Sequence, residues 1–326
     1  SGATTLTIDN PVNAKKTWGS SSVDFTGTLV LRGSSATIGA WADNWLAFNN
    51  TSLTQTGSFG LDTGAALTDR GEFILTDAWG NGVGRPKLHL SSLSGYGYFR
   101  SDWGATAAGN QPRTIHVDQS GDTTYSGRIL ESNNSTRQIG LEKSGAGKLT
   151  IYPGGINTGG YGNSFSGGTI INAGTIQMER ADALGPANGT ANVTVKDGTL
   201  DLSFDDIGGA YASATTHYTA LFNTLTLGGV SAATPTVLTS GTVGSGAALG
   251  IANKIVYDAS NDPGAATIPG RFITVGTSGV SSREIAVGDS VATTTELEIS
   301  GQMGRTGTGD GQSTTIRKTG AGTLKI

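Results

Sequence analysis

Ser144-Gly145-Ala146-Gly147-Lys148-Leu149-Thr150-Ile151 is the stretch that decides the fold. Leu149 and Ile151 alternate with the polar Lys148 and Thr150, a period of two that puts apolar residues on one face of a strand. The octet has two relatives. Ser1-Gly2-Ala3-Thr4-Thr5-Leu6-Thr7-Ile8 matches it at six of eight positions, and Thr319-Gly320-Ala321-Gly322-Thr323-Leu324-Lys325-Ile326 closes the chain. A lysine, Lys143 or Lys318, precedes the internal and terminal copies.

Two further motifs recur. An aromatic residue, Ser or Thr, then Gly appears as Phe25-Thr26-Gly27, Tyr125-Ser126-Gly127 and Phe165-Ser166-Gly167. Gly-Thr-Leu or Gly-Thr-Ile appears at Gly27, Gly174, Gly198 and Gly322. Alternation also marks Val193-Thr194-Val195, Leu225-Thr226-Leu227 and Ile273-Thr274-Val275 as strands. Corners follow them at Ala173-Gly174, Lys196-Asp197-Gly198 and Leu227-Gly228-Gly229, where glycine supplies positive φ or Asp an Asx turn. Short strands at near-regular spacing predict an all-β, parallel coil of stacked rungs, with short helical or loop excursions. Motif spacing predicts roughly 20–25 residues per rung, hence about 13–16 rungs at ~4.8 Å each and a rod of about 60–80 Å.

Composition agrees. The 326 residues include 52 glycines, roughly twice the usual ~7%, and 14% charged residues against about 25% in an average domain. A net charge of −4 with no basic run argues against nucleic acid as a partner. No apolar stretch approaches the ~18 residues of a membrane helix, so no membrane insertion is expected. No signal peptide precedes Ser1, and the chain reads as a mature or trimmed product. The absence of cysteine excludes disulfides and thiolate chemistry; it fits a bacterial exported protein and is compatible with a cytosolic one.

Residues 143–151, then Gly167-Gly168-Thr169-Ile170-Ile171-Asn172-Ala173-Gly174-Thr175-Ile176-Gln177, then Ala183-Leu184-Gly185 closely resemble the autotransporter-associated β-strand repeat of bacterial passenger regions. Residues 143–185 resemble the repeat nearly end to end, and 317–326 its first half. The resemblance implies a right-handed parallel β-helix (β-solenoid) on the outside of a bacterial cell, without implying one activity. The family's C-terminal membrane barrel has no counterpart here. The expected organisation is one continuous solenoid over 1–326: an aromatic-rich part at 1–137, the best-matching repeat at 138–204, and a strand-turn part at 205–326 ending in a partial repeat.

All five tryptophans fall early, at Trp18, Trp41, Trp45, Trp79 and Trp103, together with Tyr96, Tyr98 and Phe99. Trp41, Trp45, Trp79 and Trp103 form a candidate exposed contact surface for glycans or a partner; the alternative is bulky filling of the solenoid core. Trp41, Trp45 and Phe48 have helical spacing, while Trp45-Leu46-Ala47-Phe48 reads equally as a strand. Stretches 205–217 and 257–270 read as excursions from the coil.

No enzyme is expected. Glycoside hydrolysis needs two carboxylates at a set separation, and Asp205, Asp206, Asp77 and Asp43 offer no such pair by sequence. His89, His116 and His217 look isolated, and Ile115-His116-Val117 points the His116 ring to solvent. Ser144–Leu149 lacks phosphate-loop spacing, and Gly307-Thr308-Gly309-Asp310-Gly311 offers too few oxygens for calcium. Neither metal nor cofactor is expected.

The chain ends on Leu324-Lys325-Ile326, an ordinary core strand with no cap. Leu6, Ile8, Leu324 and Ile326 are therefore the expected junction of a head-to-tail homopolymer, a structural extracellular filament. The rival expectation is an adhesin passenger fragment that binds glycans or host surfaces; a polysaccharide-active enzyme comes behind both.

Overall fold

The computed structural model describes residues 5–10, 15–18, 22–23, 27–33, 45–48, 54–55, 59–63, 72–75, 87–101, 113–131, 138–153, 162–186, 189–203, 219–239, 248–270, 272–274, 281–301, 303–305 and 314–326. Among these, every regular element is a strand, and the chain folds as a parallel β-solenoid. It forms two compact units, Ser1–Gly167 and Gly168–Ile326.

The first unit opens with β1 (Thr5–Asn10), β2 (Lys15–Trp18), β3 (Ser22–Val23), β4 (Thr28–Gly33), β5 (Trp45–Phe48), β6 (Thr54–Gln55), β7 (Phe59–Asp62) and β8 (Glu72–Leu75). It continues with β9 (Lys87–Ser94), β10 (Tyr98–Ser101), β11 (Arg113–Asp118), β12 (Thr123–Tyr125), β13 (Arg128–Leu130), β14 (Ile139–Ser144) and β15 (Lys148–Ile151). One face runs β1-β4-β7-β9-β11-β14 and another β2-β5-β8-β10-β13, all parallel. Strands β3 and β6 pair, as do β12 and β15. The stretch Trp45–Phe48, open between helix and strand in the sequence, is strand β5.

The second unit contains β16 (Thr169–Ile171), β17 (Thr175–Met178), β18 (Asn192–Val195), β19 (Thr199–Asp201), β20 (Thr219–Gly228), β21 (Thr236–Leu238) and β22 (Ala248–Asp258). Then come β23 (Ala266–Thr267), β24 (Phe272–Thr274), β25 (Ser281–Val287), β26 (Leu297–Glu298), β27 (Met303–Arg305), β28 (Thr314–Thr319) and β29 (Leu324–Lys325). One face runs β16-β18-β20-β22, then divides: β24 and β27 follow one half of β22, β25 and β28 the other. The second face runs β17-β19-β21-β23-β26-β29.

Paired residues lie 23 positions apart at Thr5 and Thr28 but 33 at Ile285 and Lys318, so many rungs are longer than motif spacing predicts. Residues 257–270 are a regular part of a rung, not an excursion. After Asp258 the chain turns through Asn261 and Asp262, both at positive φ, and re-enters the second face as β23. That turn lies on an earlier one: Asn261 donates to the Gly229 carbonyl and Ala232 N–H to that of Asp262.

Period-two alternation builds the interior. Leu88, Ile115 and Leu141 stack across β9, β11 and β14, all essentially unexposed. Beside them, Phe73 and Phe99 pair across β8 and β10, and the Tyr125 ring follows at 6.0 Å from Phe99. The predicted corner glycines Gly174, Gly198, Gly228 and Gly229 all have positive φ.

The glycine excess has a second cause: glycine backbone stacks on glycine backbone at the corners. A Cβ on Gly127 would lie 1.8 Å from the Gly97 oxygen, one on Gly147 2.2 Å from that of Gly121, and one on Gly198 2.3 Å from that of Gly174.

Candidate functional site

The last rung of the second unit is the candidate site. Strand register aligns Ile176 with Leu200 and Leu200 with Val237; one residue beyond the pairs Thr236–Thr267, Thr267–Glu298 and Glu298–Lys325, the same column continues through Ile268, Ile299 and Ile326. From Ile176 to Ile299 this aliphatic column has no exposed surface, whereas Ile326 is 67% exposed. The neighbouring column behaves alike, with Ala266 and Leu297 buried and Leu324 half-buried.

Among the described residues this rung is the last of its sheet. Leu297 and Ile299 donate to the Thr323 and Lys325 carbonyls. Alternate residues of a strand point their N–H and C=O to opposite sides, so the polar groups of Leu324 face away from β26. Among the described residues, no strand lies on that side. Buried Glu296 positions the edge: its carboxylate accepts from Thr323 N–H at 2.6 Å and from Ser290 N–H at 3.3 Å. On the outer surface Lys325 pairs with Glu298 at 2.8 Å; at this exposure the pair contributes about 0–1 kcal/mol.

The lysine that precedes the octet is explained by its two copies. Lys143 continues an interior column over Val117, its stem fully buried, and its Nζ donates to the Ser144 and Gly145 carbonyls at 2.5 and 2.8 Å. It closes the corner of the octet, where Gly145 has φ 74°. Lys318, aligned with Ile285, donates likewise to the Gly320 carbonyl at 2.6 Å but is exposed. Burial pulls the Lys143 ammonium down to about 8, opposed by Asp118 and Asp122.

The unfolded chain therefore binds more protons than the folded one between pH 8 and the ordinary 10.5, so stability rises with pH across that window. The expected gain is about 2 kcal/mol between pH 7.5 and 9.5, read from urea midpoints, and Lys143→Met should lack it. Burial raises the Tyr257 phenol, an opposing effect that sets in only near pH 10.

In the first unit the outermost strand of its face is β1, which pairs only with β4 among the described residues. Leu6 is 37% exposed, while Leu29 and Leu61, next in its column, are buried. Ile8 pairs Leu31 through the backbone, and its side chain lies outside the described residues. The opening octet does not occupy the place of the internal one: Leu6 and Ile8 lie on the β1-β4-β7 face, Leu149 and Ile151 on β15. Sequence identity at six positions reflects a shared strand pattern, not a shared position in the rung.

Of the aromatic candidates, Trp41, Trp79 and Trp103 lie outside the described residues, and only the backbone of Trp45 is placed, in β5. Nearby, Tyr98 and Phe99 are buried and fill the interior. Asp43, Asp77, Asp205, Asp206, His217 and Gly307–Gly311 also fall outside the described residues.

His89 and His116 are not isolated. They occupy one register across β9 and β11, with Nδ1 atoms 3.0 Å apart and rings edge to face. His116 Nε2 lies 3.0 Å from Ser144 Oγ, and Glu142, next in the same register, is bonded to Lys87 at 2.5 Å. Both rings are half-buried on the outer face, as the alternation of Ile115, His116 and Val117 predicts. Burial, then His116 and Lys87, lower the His89 pKa against an opposing pull from Glu142. Their separation of 27 residues is one rung, a signal usable only once the rung length is known.

The family model described as passenger-associated-transport-repeat matches residues 141–178, which contain the internal octet. Comparison with the curated proteins and with the solved structures gives no match. The chain thus carries an autotransporter passenger-type repeat within its β-solenoid. Among the described residues, no helix is long and apolar enough to cross a membrane.

Proposed function

We propose that the chain is a structural subunit of an extracellular bacterial surface fibre, and that its solenoid stacks head to tail into a filament. The observation that carries this reading is the parallel ladder itself, in which Ile176, Leu200, Val237, Ile268 and Ile299 bury one another by strand stacking on strand. A passenger-type repeat at 141–178 supports the extracellular setting.

The occupant of the open rung is a second copy. Its own β1 edge exposes Leu6 beside free backbone groups, so the two edges are complementary in kind: parallel strand and aliphatic interior. They are different surfaces, and a contact between different surfaces propagates instead of closing on itself. Covering what remains exposed of Ile326 contributes about 1–2 kcal/mol, and of Leu6 about half that, before the cost of association. β28 ends on Lys318-Thr319 before Gly320-Ala321-Gly322, as β14 ends on Lys143-Ser144 before Gly145-Ala146-Gly147, and in this reading β28 is the strand that receives β1.

Electron microscopy and sedimentation of the protein as recovered from its source test the reading. Unbranched filaments that lengthen with concentration are expected, and Leu324→Asp with Ile326→Asp should leave monomers. Monomers alone at every concentration of the native protein would overturn it.

A further inference from the structure

The His89–His116 pair plays no part in the stacking edge, and it is built like a chelate. Two imidazoles from adjacent rungs bring their Nδ1 atoms to 3.0 Å on a half-buried outer face. Metal–nitrogen bonds of about 2.0–2.1 Å on those atoms would subtend roughly 95° at an ion between them. That bite suits the square or tetragonal geometry of copper(II) or nickel(II), and imidazole is a preferred ligand of both. The geometry points to a divalent transition-metal site, of the copper(II) or nickel(II) type, chelated by His89 Nδ1 and His116 Nδ1.

The surroundings supply what such a pair needs. Ser144 Oγ, 3.0 Å from His116 Nε2, accepts that N–H in the tautomer whose Nδ1 lone pair faces His89, a fixed orientation for a ligating imidazole. The proton shared between the two Nδ1 atoms is what the ion replaces, and it passes to His89 Nε2. Leu88, Leu90, Ile115 and Val117, all buried, hold both strands in register and limit the spread of the rings. Among the described residues no cluster of three or more metal-ligating groups exists, so water completes the coordination. Glu142 stays with Lys87, whose ammonium it neutralises beside the site.

Titration of the whole chain with copper(II) at pH 7.4, read by calorimetry and electron paramagnetic resonance, is the test. One ion should bind per chain with two-nitrogen superhyperfine splitting. His89→Asn or His116→Asn should weaken binding at least tenfold, and His217→Asn should leave it unchanged. Circular dichroism checks that each variant keeps its strands; should one lose them, the two-nitrogen spectrum of the unaltered chain decides. No saturable uptake, a spectrum without two nitrogens, or equal uptake by the double variant would overturn the proposal.

Discussion

Gly301→Ala is expected to destabilise the second unit by more than about 3 kcal/mol, the upper end of ordinary overpacking. A Cβ at Gly301 would lie 1.1 Å from the Gly270 oxygen, 2.0 Å from its carbonyl carbon and 2.5 Å from its nitrogen. All three atoms are backbone, so no side chain can swing aside. Nor can the rung lift. Ile268 N–H donates to the Glu298 carbonyl at 2.8 Å, which ties the strand before Gly270 to the one before Gly301. Opening the gap would break such bonds on two buried strands, and an unpaired buried backbone group costs about as much as a lost hydrogen bond.

The matched control is Gly121→Ala, where an added Cβ meets nothing within 4 Å. With no positive φ at Gly121, the substitution should be neutral or stabilise by up to about 1 kcal/mol, through the narrower unfolded ensemble. Urea unfolding followed by far-ultraviolet circular dichroism measures both. Equal midpoints for the two variants would show that glycine stacking does not set the rung spacing.

The same geometry explains how much was legible in the sequence. Leu149 and Ile151, Val193 and Val195, and Leu225 and Leu227 are buried as their alternation predicts, because period two is a property of one strand and needs no partner. Gly174 and Gly198 turn corners for an equally local reason. What a strand stacks on is not local: it depends on how many residues the intervening turns consume, and these vary between rungs. Thus His89 and His116 looked isolated, the opening octet looked equivalent to the internal one, and 257–270 looked like an insertion. Glycine number was visible; that Gly301 must be glycine because Gly270 lies against it was not.

Phe99→Ala should remove about 3–5 kcal/mol from the first unit, the usual range for a fully buried aromatic. Phe73, Phe99 and Tyr125 have no exposed surface, and their rings follow at centroid distances of 5.5 and 6.0 Å. Removing the middle ring leaves both neighbours without their edge contacts, each contributing about 0.5–1.5 kcal/mol beyond burial. Collapse into the gap is resisted on one side by Tyr125, whose single O–H is shared between the Gly97 carbonyl at 2.9 Å and that of Arg128 at 3.1 Å. On the other, Phe73 is fixed by its register with Phe99 in the β8–β10 ladder. Phe99→Leu, which retains most of the volume, should cost less than half as much. Phe73 and Phe99 share one register column, whereas the residue in register with Phe99 on β13 is Ile129 and Tyr125 approaches from β12, so the ring row crosses from one face to the next. A loss below about 1 kcal/mol in Phe99→Ala, by urea midpoint, would mean that the rings only line the interior; a loss in the expected range makes the aromatic-rich segment a core before it is a contact surface.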